Sequence, residues 1–468
     1  MICLVHCLKH LQELRDFYGF STNALFYSRY VNNFIYNDRH SSTSTMGVQS
    51  TLIDLSSLHA YVHSTVSAIE YIHFAFLVGC VYLLYYITHV VHKPELYCTD
   101  KEGFKSRIKE CITELSIDQW PLIWCYSALP QTILHSVLGH THNLNFKREY
   151  IETNDGGSFT LDWYGFEKNN NTDEKTPIIV VIPGATGHSQ KNYIQQCLKQ
   201  HKDLNYRSVV FNNRGLGNNV KLTSPLFSCV TKGDDTEQTL HTVANRYPST
   251  PIMVVAFSIG ACIFINYLAR KGKDIPNNLI AAYILSVPWN SFESKQNLSE
   301  FWNKLTINNH MTGELMALVK GNYEMFAETQ HELPINLDSV LKCDTIWDFD
   351  DRYTCPMFGY KDHMVFYADA SLDSLPLENI CIPVLNLNAD DDPLCRKRAI
   401  PFKKILQNPR IAVITTKYGG HMAWLEGFFM TPKRLHHRVF QQYASMIFSE
   451  KNTDRSEIRT RPYNLTIG

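Results

Sequence analysis

Residues 251–270 read PIMVVAFSIGACIFINYLAR: a short apolar run rich in β-branched residues, a serine among small neighbours, then an apolar run of helical spacing. A strand that turns at once into a helix leaves one side chain exposed on a strained turn. The crowding there admits only small residues two before and two after it. Ser258 sits at that turn, within Ala256-Phe257-Ser258-Ile259-Gly260. Alanine stands where the usual pattern has its first glycine and is the next smallest side chain, so the turn remains feasible.

The same alternation runs through the flanking sequence. FKREYIET and SFTLDWYG, separated by Asn154-Asp155-Gly156-Gly157, predict an antiparallel hairpin. PIIVVIPG at 177–184, RSVVFNNRG at 207–215 and LIAAYILSVP at 279–288 are short apolar runs of the kind buried on both faces of a parallel sheet. Helical spacing lies between them at Gln190–Gln200 and in DDTEQTLHTVANRYP, whose leading acids suit a helix N-terminus. From Trp289 to about Leu377 the rhythm breaks into an aromatic-rich helical stretch, long enough to be a functional cap. CIPVLNLNA at 381–389 and RIAVITT at 410–416 resume the strands, and PKRLHHRVFQQYASMIFSE closes with a helix. The fold class predicted is a mostly parallel, doubly wound sheet with an N-terminal antiparallel hairpin and an inserted cap.

From Tyr71 to Val91 there is not one Lys, Arg, Asp or Glu. As a helix this run would measure about 31 Å, near the hydrocarbon thickness of a bilayer, with tyrosine and histidine rings towards its ends. It predicts a single transmembrane helix. Lys93, Lys101, Lys105, Arg107 and Lys109 follow it, and the twenty residues before it carry no positive charge, so the C-terminal part is expected to face the cytosol. The endoplasmic reticulum is the candidate membrane. Residues 1–70 read as a linker-like segment, 92–145 as a membrane-proximal arm, 146–450 as the catalytic domain and 451–468 as a mobile tail.

A formal net charge of -1 gives no electrostatic case for nucleic acid. Thirteen cysteines without a C-x-x-C pair argue against a zinc site and a disulfide framework. Asn170, Asn297 and Asn464 begin N-x-[ST] triplets, which matter only if the domain faces a lumen.

An alkyl hydroxyl is a poor nucleophile near neutrality, so Ser258 needs an adjacent base, and the base needs an acceptor to fix its tautomer. Both are available at strand ends. Asp390-Asp391-Asp392-Pro393 follows the penultimate strand, and His421, in YGGHMAWLEG, follows the last. The order serine, acid, histidine places all three at the carboxyl edge of the sheet. Asp392 is the first choice for the acid, with Asp391 close behind. The amides of Ile259, after the nucleophile, and of Ala185, in Pro183-Gly184-Ala185-Thr186-Gly187, are the expected oxyanion donors. Without a following Gly-Lys-Ser/Thr, PGATG does not complete a phosphate loop.

With KPELYC, LDW, PGATGHSQKNYI, FNNRGLGN, AFSIGA, VPWN, FGYKDHMVFYADAS, LNADDDP and YGGHMAWLEG in hand, residues 92–450 resemble the YheT-like branch of the α/β-hydrolases. Within it they resemble the membrane-anchored abhydrolase-domain lipases and esterases. The resemblance implies an α/β-hydrolase fold behind an N-terminal anchor, a triad on Ser258, Asp392 and His421, and ester substrates such as phospholipids or acylglycerols. The expectation is a membrane-bound serine hydrolase acting through an acyl-enzyme, needing no cofactor and no metal, with a lipid ester and the bilayer as partners. A hydrolase-fold receptor without turnover and a short-chain carboxylesterase are the alternatives, and the oligomeric state stays open.

Overall fold

Strands covered on both faces are continuous hydrophobic runs, whereas a helix that must face lipid or be wholly enclosed is apolar all round. Both patterns are realised in the computed structural model, which describes residues 55–137, 144–166, 176–218, 220–428 and 433–449. Most of the expected N-terminal linker and the tail from 451 lie outside the described residues. The chain divides into two units, one ending at Val78 and one beginning at Gly79.

The described part of the first unit is helical. Helix α1 runs Leu55–Tyr85 and passes into a π-type turn over Tyr86–Val90. Within it, Glu70–Val90 is long and apolar enough to cross a membrane, by length and composition. In the second unit the hydroxyls of Tyr82 and Tyr86 donate to the carbonyls of Ile123 and Pro121, so the end of the helix is tied to the segment that follows it.

The second unit is built on a nine-stranded sheet. In chain order its strands are β1 (Glu95–Tyr97), β2 (Lys147–Glu152), β3 (Ser158–Tyr164), β4 (Ile178–Ile182), β5 (Arg207–Asn212), β6 (Ile252–Phe257), β7 (Leu279–Leu285), β8 (Val384–Ala389) and β9 (Ile411–Thr416). Across the sheet the order is β1-β9-β8-β7-β6-β4-β5-β3-β2. Strands β4 to β9 pair in parallel, and the hairpin β2/β3, the β3/β5 pair and the β1/β9 pair are antiparallel. The expected hairpin and parallel sheet are thus present. Strand β1 was not anticipated: its three residues, in the stretch read as an arm, add an edge to the sheet, which therefore reaches back beyond Phe146 to Glu95. A run that short carries no periodicity to read.

Side-chain alternation divides the core in two. Ile252, Val254 and Ala256 of β6 join Ile178, Val180 and Ile182 of β4 in one apolar layer, while Met253, Val255 and Phe257 join Ile179 and Val181 in the other. Each such fully buried aliphatic chain contributes about 1.5–3 kcal/mol. Five helices that matter to the site flank the sheet: α2 (Ala128–Val137), α3 (Asn192–Asp203), α4 (Asp234–Arg246), α5 (Ile259–Lys271) and, last, the closing helix Leu435–Phe448. Because β5 lies on one side of β4 and β6 on the other, the connection reverses there, and a crevice opens beyond the carboxyl ends of β4 and β6.

Between β7 and β8, the stretch read as a cap, the described chain is wholly helical or irregular. Its longest helix, α6 (Asn309–Gly321), belongs to a separate small core in which Val319, Phe326, Val340, Phe349 and Tyr353 pack with Leu222. Asn297, one of the N-x-[ST] asparagines, is fully buried and donates to the Leu394 carbonyl at 3.3 Å, so it is not a glycan acceptor.

Candidate active site

The apolar strand β6 ends at Phe257 and α5 begins at Ile259, so the backbone must reverse direction within one residue. Ser258 does this at φ 51° and ψ -123°, a conformation that L side chains avoid and that only a strongly constraining surround maintains. Its amide donates to the Leu285 carbonyl of β7 at 2.9 Å, and its carbonyl accepts from the amide of Ala261 at 2.9 Å. The two small residues flanking it are not equivalent. A Cβ on Gly260 would stand 2.1 Å from the Pro183 carbonyl oxygen, so glycine is obligatory there. Ala256 fits, fully buried, in the strand.

Two strand-end loops deliver the partners. His421 follows β9, and its Nε2 lies 2.9 Å from Ser258 Oγ. On the other side of the ring, Nδ1 lies 2.9 Å from Asp392 Oδ2 and 3.1 Å from Oδ1. Asp392 has no exposed surface, and its Oδ1 accepts from the amides of Leu394 at 2.8 Å and Cys395 at 3.0 Å. Those amides hold the carboxylate against the ring, and an acceptor at Nδ1 selects the tautomer with its proton there and leaves Nε2 free to accept one. The structure therefore brings together Ser258, Asp392 and His421, the three residues singled out from the sequence.

Asp391, the alternative acid, is directed elsewhere. Its Oδ1 accepts from the Gly420 amide at 3.0 Å, so it braces the loop carrying the histidine. Burial, reinforced by the charge of Asp392, raises its pKa to about 7. Asp390 lies 3.2 Å from Lys397 Nζ.

The His421 loop is held from several directions. Its amide donates to Thr132 Oγ1 of α2 at 2.9 Å, and the Met422 amide donates to Ser286 Oγ at 3.0 Å. Gly420, Met422 and Trp424 all have positive φ, and the Trp424 indole donates to Thr416 Oγ1 at 2.9 Å. Neither Thr132 nor Ser286 carries a spacing signal in the sequence. Each matters only through the fold.

Donor atoms of Asp392, Cys395 and His421 lie within 4.8 Å of one another, which raises the question of a metal centre. The donor set argues otherwise. Burial and the charge of Asp392 push the Cys395 thiol well above its ordinary pKa, so it is protonated and donates to the Ser286 carbonyl at 3.2 Å. The other two donors are bonded to each other, His421 Nδ1 to Asp392 Oδ2 at 2.9 Å, so all three groups are already engaged within the chain.

The two expected oxyanion donors come from different segments, the start of α5 and the loop after β4. Ile259 opens α5, where an amide has no intrahelical acceptor. Ala185 sits in the loop after β4, beside Gly184, whose Cβ would stand 3.3 Å from that of Ser258. The Gly184 amide donates to the Tyr193 hydroxyl at 3.2 Å, and Gly187 donates back to the Gly184 carbonyl at 3.0 Å. Among the described residues, neither the Ala185 nor the Ile259 amide is hydrogen-bonded within the chain.

Mouse Phospholipase ABHD3 is 36% identical over 367 residues, covering 78% of this chain and 86% of the relative. The chain belongs to the abhydrolase-domain family of α/β-hydrolases. Within that family, Protein abhd-3.2 of Caenorhabditis elegans is 27% identical over 80% of this chain and 97% of its own length. Mouse Monoacylglycerol lipase ABHD2 is 24% identical over 76% of this chain and 85% of its own. A family model described as serine aminopeptidase, S33, also matches residues 173–331, which include the elbow.

Proposed function

We propose that this abhydrolase-family chain is a membrane-anchored serine hydrolase that cleaves carboxylic esters of lipids, phospholipids or acylglycerols, through an acyl-enzyme. The observation that carries the reading is the hydrogen-bonded series from Ser258 Oγ through His421 to Asp392, each link 2.9 Å, at a strained strand-to-helix turn. The lipid class is supported by the relatives, named phospholipase and monoacylglycerol lipase.

In this reading Ser258 Oγ attacks the ester carbonyl while His421 Nε2 takes its proton, and Asp392 stabilises the imidazolium. The amides of Ala185 and Ile259 hold the resulting oxyanion. Collapse of the intermediate breaks the bond to the alcohol, which leaves with the proton from His421. Water then attacks acyl-Ser258 by the same route, its proton passing through His421, and a fatty acid is released.

The anchor would be Glu70–Val90 and the catalytic unit would face the cytosol, with the endoplasmic reticulum as the candidate membrane and the YheT-like branch as the lineage. A fluorophosphonate ester should label the wild-type chain and leave Ser258→Ala unlabelled. Fatty acid release from phospholipid or monoacylglycerol vesicles should vanish in the same variant. Equal hydrolysis by both proteins would refute the reading. Protease digestion of sealed microsomes should remove the C-terminal unit, and its protection would reverse the orientation.

A further inference from the structure

The loop after β4 is the least self-sufficient part of the site. Thr186 sits at φ 54°, a left-handed conformation that a β-branched residue adopts only under constraint from outside. That constraint comes from the cap. Glu314, in the first half of α6, bonds the Thr186 hydroxyl with one carboxylate oxygen and Lys191 Nζ with the other, the latter at 2.7 Å. Lys191 precedes α3, so one carboxylate joins the two ends of residues 186–191, a stretch that begins immediately after Ala185, the proposed oxyanion donor. Among the described residues Glu314 is the only cap side chain hydrogen-bonded to this loop. The other ties from that part of the cap reach the 220–227 stretch, as when Asn322 accepts from the Leu222 amide at 3.0 Å.

We infer that Glu314 is a positioning residue, which holds Thr186 and Lys191 from the cap so that the Ala185 amide is aligned with the Ile259 amide when the cap is seated. This rests on the Ser258 reading. The chemistry of the contacts fits. Burial would raise the Glu314 pKa, but bonding from Lys191 and Thr186 outweighs it and keeps the group charged. A charged acceptor competes successfully for the single hydroxyl proton of Thr186, whose other acceptor within reach is the Ala185 carbonyl at 2.7 Å. Without Glu314 that proton turns to Ala185 itself, in the peptide next to the amide that must point at the oxyanion.

Transition-state alignment of this sort acts on turnover more than on ground-state binding. Glu314→Ala should lower kcat about tenfold to a hundredfold, approaching the loss of one oxyanion donor, with KM changed by less than about threefold. Glu314→Asp should recover part of it. A boronic acid that forms a tetrahedral adduct on the serine should lose affinity in the same proportion as kcat, an effect that a merely structural role would not produce. Thermal unfolding of each variant checks that the cap remains folded, and Thr186→Ala offers an independent route to the same loss. Unchanged kcat and boronate affinity in a folded Glu314→Ala protein would overturn the inference while Ser258 labelling persists. Hydrolysis unaffected by Ser258→Ala would instead overturn the reading beneath it.

Discussion

Two buried carboxyl groups, Asp162 on the sheet and Asp350 in the cap, are accommodated in opposite ways. Asp162, fully buried on β3, accepts from Arg148 Nε and from an Arg148 terminal nitrogen, both at 2.7 Å, and from Asn212 at 2.9 Å, with Ser189 as a fourth donor. Burial acts to raise its pKa, but those donors prevail and hold it below the usual range. Asp350, buried in the cap, receives the Tyr367 hydroxyl at 2.7 Å and, among the described residues, pairs with no arginine or lysine. Burial prevails and raises its pKa to about 6. The first acid is committed to a fixed geometry by its donors, and the second, without a cation beside it, weakens the cap near neutral pH.

The sharpest test compares neighbouring aspartates. Asp392→Asn should reduce turnover about 10³- to 10⁴-fold by supporting the wrong imidazole tautomer, whereas Asp391→Asn, which only braces the Gly420 loop, should cost less than about tenfold. Similar losses from both would show that the loop, and not one carboxylate, sets the histidine. At the elbow, Gly260→Ala should lower the unfolding free energy by about 3 kcal/mol, because its Cβ collides with the Pro183 carbonyl, and Ala256→Gly by about 1 kcal/mol or less. Urea unfolding of the pair measures the asymmetry.

For the cap, the sign follows from a folded pKa raised to about 6 above an unfolded value near 4. The folded state keeps the proton longer, so the stability from Asp350 is full below about pH 4 and is lost as pH rises through 6. The difference in unfolding free energy between wild type and Asp350→Asn should therefore shift by about 2 kcal/mol between pH 4 and pH 7, with the wild type losing ground. A flat difference would mean that the cap satisfies this acid as fully as the sheet satisfies Asp162. The smallest effect concerns Phe301 and Trp302, exposed at 71% and 55% on the cap. Changing either to Asp should slow hydrolysis of a bilayer-borne ester severalfold and leave a dissolved short-chain ester unaffected, as parallel vesicle and solution assays would reveal.

The same division decides what could be read from the residues alone. Strands buried on both faces announce themselves as apolar runs, and Ser258, Asp392 and His421 stand just past the ends of three of them, so the sheet and the edge where these side chains meet were legible. Position within the acidic triplet was nearly so: the structure directs Asp392 at His421 and Asp391 at Gly420. What escaped depends on contacts between remote segments. Thr132 and Ser286 are ordinary hydroxyls until the fold places them against the backbone of the histidine loop. Glu314 reaches Thr186 across 128 positions of sequence, through a cap whose short helices and π-type turns follow no single period. Strand β1 was too brief to register as anything but arm.

That brief strand also decides where mechanical load would travel. Residues 91–94 alone separate the apolar helix and its final turn from Glu95, and β1 is laced to β9 from Glu95 opposite Thr415 to Tyr97 opposite Val413. Lys417, just past β9, grips the His89 carbonyl at 2.9 Å. A sideways tug on the end of that helix is therefore delivered to the strand after which His421 follows, with no slack tether to absorb it, and would reach the imidazole within a few peptide units.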